Sequence, residues 1–295
     1  MKFKKTNNEI FNIWTSLDMI DEVFNMTLED LLDNLIISED DYHIILNSDS
    51  EDIPKEIFEK IYNYAYNNGL YINDIRWLEE KELLGLDELL LSHGSRVNIR
   101  GDIRLDVAAD INDFSKGFYC GESLKQAGMF VSQEPNSSLY IVSFVPEGLK
   151  SKRFNVSTDW MLAIAYYRGT LGDLARRSRV EEVVDAVENS DYVIAPIADN
   201  RMFRIIDAFT DGQITDKQCQ HALSTTNLGH QYVFKKPSCL DHLEIKDHLY
   251  LCDAEKNRYN TDCQKESNTS LLKANISRKR YANSGVYIDE LLKNN

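Results

Sequence analysis

The sequence predicts an α+β chain, with an N-terminal all-α helical bundle followed by a mixed β-sheet domain with flanking helices. Apolar residues recur at helical spacing through residues 8–84. From residue 86 onward, short runs of strand length alternate with helical stretches. Charge divides along the same line. Residues 1–90 hold 7 Lys/Arg against 21 Asp/Glu and the rest hold 26 against 27, so nearly all of the net charge of −15 lies in the first third. These shifts set boundaries at 1–85, an acidic helical domain that regulates or binds a partner, at 86–254, the sheet domain, and at 255–295, a polar extension with a docked C-terminal segment.

In the front third, Ile10, Phe11, Ile13, Trp14 and Leu17 mark a helix over Asn8–Met19. Thr27 precedes LEDLLDNLI with Asp30 three residues on, a capping-box-like start. Pro54 opens a helix whose stripe is Ile57, Phe58, Ile61, Tyr62 and Ala65, and Asn67-Asn68-Gly69 ends it. The order of these helices resembles a helix-turn-helix regulator. The charge argues against DNA reading, because displacing counterions from phosphate needs Lys and Arg.

Beyond residue 86, LDELLLSHGS runs into a strand ending at His93, and Phe118–Gly121 follows a turn ahead of the helix ESLKQAGMFVS. SSLYIVSFV is a strand stopped by Pro146, and Ser157 or Thr158 caps the helix of STDWMLAIAYYRG. VEEVVDAVEN is a helix, DYVIAPIA a buried strand, and helices follow near 201–210 and 215–224. HQYVFKK and HLEIKDHLYL are the last strands, and residues 255–282 read as a loose polar stretch.

Several classes are excluded or disfavoured. No run reaches the roughly 18–20 apolar residues of a membrane span, and the N-terminus lacks the apolar core of a signal peptide, so a cytoplasmic protein with no membrane partner is expected. Five cysteines without CxxC spacing indicate neither a disulfide framework nor a zinc cluster. Neither G-x-G-x-x-G nor a P-loop occurs.

Three pieces stand out: LSHGSR (91–96), DFSKGFYCGESLKQA (113–127) and GHQYVF (229–234). Their order resembles the ADP-ribosyltransferases of the diphtheria-toxin and poly(ADP-ribose) polymerase class, in which successive strands carry H-G-S, G-K-G-[IF]-Y and an acidic residue before an aromatic-aliphatic strand. The resemblance covers roughly residues 88–250 and is nearest to a bacterial subgroup found beside toxin–antitoxin and phage-defence loci. It implies an ADP-ribosyltransferase-like sheet domain, NAD+ as co-substrate and no metal.

Transfer from NAD+ breaks the nicotinamide–ribose bond through an oxocarbenium-like transition state, so the ring must be gripped and the ribose oriented. By resemblance, His93 hydrogen-bonds the adenosine ribose, the Gly94 backbone clamps the carboxamide, Ser95 adds a polar contact and Tyr119 stacks on the nicotinamide ring. Gln231 stands where the family usually has Glu. An amide can hold the ribose hydroxyl but carries no charge, which implies single transfer without chain elongation. Gln126 stands nearest the family's serine contact to the carboxamide, and Met129 or Phe130 forms the second wall of the slot.

In APIADNRMF, Asp199 supplies the missing carboxylate or Arg201 meets the pyrophosphate; in the alternative reading Asp199 or Asn200 caps the next helix. The basic groups Lys150, Lys152, Arg153 and Arg168, Arg176, Arg177, Arg179 line an anionic target surface or are solvated helix faces. The implied function is a toxin-type mono-ADP-ribosyltransferase whose partners are a protein or nucleic-acid acceptor and an antitoxin or inhibitor protein. Two alternatives stand beside it: a non-catalytic NAD or ADP-ribose binding module, and a nucleic-acid-binding regulator that uses the front helices.

Overall fold

The structure, a computed structural model, describes residues 13–47, 53–99, 101–108, 111–198, 200–224 and 229–293 of the chain. In chain order the elements are α1 (Ile13–Phe24), α2 (Leu28–Leu35), α3 (Glu39–Asn47), α4 (Lys55–Asn67), α5 (Ile72–Glu82), β1 (Leu89–Ser95), β2 (Phe118–Gly121), α6 (Leu124–Val131), β3 (Ser138–Phe144), β4 (Ser151–Arg153), α7 (Thr158–Tyr167), α8 (Ser178–Glu188), β5 (Tyr192–Pro196), α9 (Asn200–Thr210), α10 (Asp216–Ser224), β6 (His230–Phe234), β7 (Leu243–Tyr250), α11 (Asp253–Arg280) and α12 (Ile288–Leu291). The α+β class holds, with a helical region ahead of the strands. The expected start of the first helix at Asn8 lies outside the described residues.

Internal contacts divide the chain into two units, neither continuous in sequence. The first comprises residues 1–98, 123–145 and 244–262. Its front helices begin as local chemistry dictates. The Asp30 N–H donates to Thr27 Oγ1 at 3.1 Å and the Thr27 N–H donates to Asp30 Oδ2 at 3.1 Å, a reciprocal cap on α2. The α4 stripe Ile57, Phe58, Ile61, Tyr62 and Ala65 is wholly buried, in a cluster that also takes in Cys252 and packs against Tyr250 and Ala254. The acidic third thus shares its core with the chain around residue 250 rather than closing on itself at residue 85. Polar contacts follow the same path: Arg76 meets Asp247 at 2.6 Å, the Asn73 amide donates to Glu255 at 2.7 Å, and the Tyr250 hydroxyl donates to Glu59 at 2.6 Å. In this unit β1 pairs antiparallel with β3, His93 opposite Tyr140, and β7 lies beyond β3.

The second unit comprises residues 99–122, 146–243 and 263–295. Its strands run in the order β4-β5-β6-β2, with β4 and β5 parallel and the other pairs antiparallel, so the sheet is mixed. Ser157 caps α7 by accepting the Trp160 N–H. That helix buries six consecutive residues, Trp160 to Ala165, in a core shared with α8, α9, β5 and β6. Ile288 and Leu292 near the C-terminus join the same core.

Residues 255–282, expected to be a loose stretch, belong instead to the 28-residue helix α11 up to Arg280. No Gly or Pro interrupts it, acids occupy its first turn and Arg278, Lys279 and Arg280 its last, as the helix dipole favours. Its anchors in the first unit are largely polar. Glu255, buried, accepts from Asn73 and from the Tyr259 hydroxyl at 2.9 Å, so apolar periodicity does not reveal the helix.

Candidate functional site

Gln231 on β6 lies opposite Gly121 of β2 and Ala195 of β5. Its side chain is buried, so its amide must find partners. Nε2 donates to Asp113 Oδ2 at 2.8 Å and to the Pro196 carbonyl at 3.3 Å. An ionised carboxylate and a carbonyl only accept, which fixes the amide's orientation. With both amide hydrogens engaged, what Gln231 offers a ligand is its carbonyl oxygen Oε1, an acceptor.

Asp113 is itself buried. Its second oxygen faces Arg168 Nη1 at 3.5 Å, and the Arg168 guanidinium lies over the Phe203 ring, 3.1 Å from its centroid. Burial raises the Asp113 carboxyl to about 6, against the lowering effect of the Gln231 hydrogen bond, the Arg168 charge and a backbone hydrogen bond at Ala198. The result is a carboxylate that changes charge close to neutrality, a property that clusters at functional sites.

The loop that carries Asp113 is held from several sides. Phe114 is fully buried and stacks on Phe154 with ring centroids 5.8 Å apart. The Tyr119 hydroxyl donates to the Ser115 carbonyl at 2.6 Å and accepts the Phe114 N–H at 3.2 Å. Burial raises the Tyr119 hydroxyl well above its usual range, and the Asp113 charge adds to the effect. Ser115 sits at φ +64°, a left-handed conformation that costs a non-glycine residue about 1–2 kcal/mol. A Cβ on Gly117 would come within 2.7 Å of the Phe234 carbonyl, so only glycine lets the loop pass β6 this closely.

The H-G-S motif belongs to the other unit. His93, half-buried on β1, has Tyr140 opposite it at a ring distance of 6.2 Å, and Tyr140 in turn stacks on His248 at 4.4 Å. Burial, followed by the nearby Arg76 charge, lowers His248 to about 4, so that imidazole is neutral at physiological pH. Gly94 packs against α6, where an added Cβ would lie 2.6 Å from the Ala127 carbonyl. Gly94→Ala is therefore expected to cost about 1–3 kcal/mol in urea unfolding; a wild-type midpoint would rule this packing out. Ser95 Oγ donates to the Val97 carbonyl at 2.6 Å and closes a turn. Gln126 completes the cap of α6, its Oε1 accepting the Ser123 N–H at 3.2 Å. Met129 packs against that unit's core, whereas Phe130 is exposed, with the Arg96 guanidinium 5.9 Å above its ring.

Of the expected site residues, Tyr119 and Gln231 lie in the second unit on the paired strands β2 and β6, each bonded to the Asp113 loop, while His93, Gly94, Ser95 and Gln126 lie in the first. Asp199 lies outside the described residues, as does the side chain of Arg201. The carboxylate that meets Gln231 is Asp113, which the sequence showed only as the first letter of the DFSKGFY motif. Its signal was the uncharged Gln231, which called for an acid nearby. Arg168, seen in the sequence only as part of a basic grouping, is that acid's cationic neighbour. Among the described residues no group of three or more His, Cys, Asp or Glu side chains could hold a metal ion, and no helix is long and apolar enough to cross a membrane.

These features define an α+β protein whose mixed sheet buries a carboxylate against an amide and beside a phenol. Residues 89–245, more than half of the chain, match the family described as Protein of unknown function (DUF3990), and the chain belongs to that family. The matched range begins at the first residue of β1 and includes all three motifs. No curated protein and no solved structure gives a significant match.

Proposed function

We propose that the chain is a mono-ADP-ribosyltransferase with an ADP-ribosyltransferase-like sheet domain, which uses NAD+ to modify a protein or nucleic-acid acceptor and acts as a toxin-type effector in the cytoplasm. The observation that carries the reading is the hydrogen bond between Gln231 and the buried Asp113. NAD+ supplies an ADP-ribosyl group whose bond to nicotinamide breaks with the electron pair leaving on the pyridine nitrogen. Gln231 presents a carbonyl oxygen where a ribose hydroxyl needs an acceptor. Asp113 lends negative charge one hydrogen bond behind it, so the pair does together what a single glutamate does in the resembling enzymes. Asp113 is held in place by the loop that Tyr119 fixes, and in this reading the nicotinamide stacks on the Tyr119 ring, as the resemblance implies.

The reading also draws on the order of His93-Gly94-Ser95, Lys116-Gly117-Phe118-Tyr119 and Gln231 along the chain. The acidic front helices are the face we assign to an antitoxin or inhibitor protein. To test the proposal, the protein is incubated with labelled NAD+ and cell extract or RNA, beside Tyr119→Ala and Gln231→Ala. Wild type is expected to release nicotinamide and label an acceptor, with both variants at least about 100-fold slower. Equal labelling by all three proteins would remove the idea. Tight NAD+ binding without nicotinamide release would leave the binding-module reading in its place.

A further inference from the structure

We propose that Lys235 is a positioning residue that clamps the Asp113-bearing loop onto β6; the role rests on the transferase reading of that site. β6 and the residue that follows it grip the Asp113–Phe114 dipeptide at two points. Gln231 Nε2 holds the Asp113 carboxylate at 2.8 Å, and Lys235 Nζ donates to the Phe114 carbonyl at 2.9 Å. Strand alternation puts Gln231, Val233 and the following Lys235 on one face, and Tyr119 lies opposite Val233 on β2. The loop is thus held between an amide and an ammonium four residues apart on the same chain segment.

The lysine is itself fixed. Its side chain is 10% exposed, its ammonium reaches Glu188 Oε1 at 3.1 Å, and it sits 4.5 Å over the Tyr167 ring, whose hydroxyl donates to the same Glu188. Burying an ammonium is costly unless its donors are used. Here they go to Glu188, to the Tyr167 ring and to a backbone carbonyl one residue from the proposed functional acid. The Phe114 ring fills the core against Phe154 and Tyr167, so this clamp holds a short, stiff segment and sets the distance between Asp113 and Gln231.

Among the described residues, the charged and titratable groups facing Asp113 are Arg168 and Tyr119, and those facing Lys235 are Glu188 and Tyr167. All four are kept in the test. Asp113 is followed by carboxyl-carbon NMR across pH in wild type, Lys235→Met and Lys235→Gln, with its resonance assigned by its loss in Asp113→Asn. Nicotinamide release from NAD+ is measured in parallel. Both Lys235 variants are expected to shift the Asp113 midpoint by one pH unit or more toward an ordinary aspartate, as a loosened loop admits water. They are also expected to lose tenfold or more in kcat with KM for NAD+ within twofold, and Lys235→Arg is expected to recover part of both. A folded variant with an unchanged midpoint and unchanged kcat overturns the proposal. So does a lowered melting temperature with the midpoint unmoved, which would make Lys235 a packing residue only. If wild type releases no nicotinamide, the transferase reading fails, while the NMR midpoint still decides whether Lys235 positions Asp113.

Discussion

Asp113→Asn is expected to slow nicotinamide release by about 100-fold or more while leaving the fold as stable as before, or more so. The substitution keeps an acceptor for the Gln231 amide and removes the negative charge that lies behind it. Asp113 is anionic above about pH 6 and neutral below, so wild-type activity should rise with pH through that value. The slow variant should lack this limb. Stability runs the opposite way. The folded-state value of about 6 lies above the ordinary 3.8, so the folded chain holds the proton more tightly than the unfolded chain does. That stabilisation is fully present below about pH 4 and is lost as pH climbs through about 6, a decline of about 3 kcal/mol that an asparagine cannot show. Rates from pH 5 to 8, with urea unfolding at the same points, check both halves. A variant within about threefold of wild type would remove Asp113 from the chemistry.

Arg76→Met should destabilise the protein by about 3–5 kcal/mol, because it strands a buried carboxylate. Arg76 and Asp247 are each under 10% exposed and lie 2.6 Å apart. Burial raises Asp247 to about 7, and the guanidinium beside it holds it below where burial alone would leave it. Without the arginine the carboxyl takes up a proton more readily. The deficit should therefore shrink at pH 5, where protonation relieves it, and be largest at pH 8. Adding Asp247→Leu should recover most of the loss, as apolar replacement of a whole buried pair often does. A deficit that is equal at both pH values, or below about 1 kcal/mol, would show that the pair carries little weight.

Much of the fold could be read directly where local chemistry decides it. The Thr27 cap, the α4 stripe and the Ser157 cap need only short-range rules. Strand β4 did not stand out, because Ser151-Lys152-Arg153 has no apolar alternation and takes its structure from pairing with β5. Helix α11 did not stand out, because Glu255 and Lys256, buried polar residues, do the work that periodic leucines do elsewhere. Tyr119 and Gln231, the residues we propose for the site, stand out through motif order. Asp113 does not, since its meaning comes from a partner more than a hundred residues away, and a lone acid before an aromatic reads the same in any loop. The boundary drawn at residue 85 followed composition, which cannot see that Tyr250, Cys252 and Ala254 complete the core of the front helices.

That shared core bears on how the chain is born. The ribosome delivers α1–α5 long before β7 and the start of α11 exist, so the stripe of α4 must wait roughly 180 residues for its cover. At about 5–20 residues per second the delay is on the order of 10–35 s. Through that interval the surplus of carboxylates on the emerging segment opposes contact between neighbouring nascent chains by mutual repulsion.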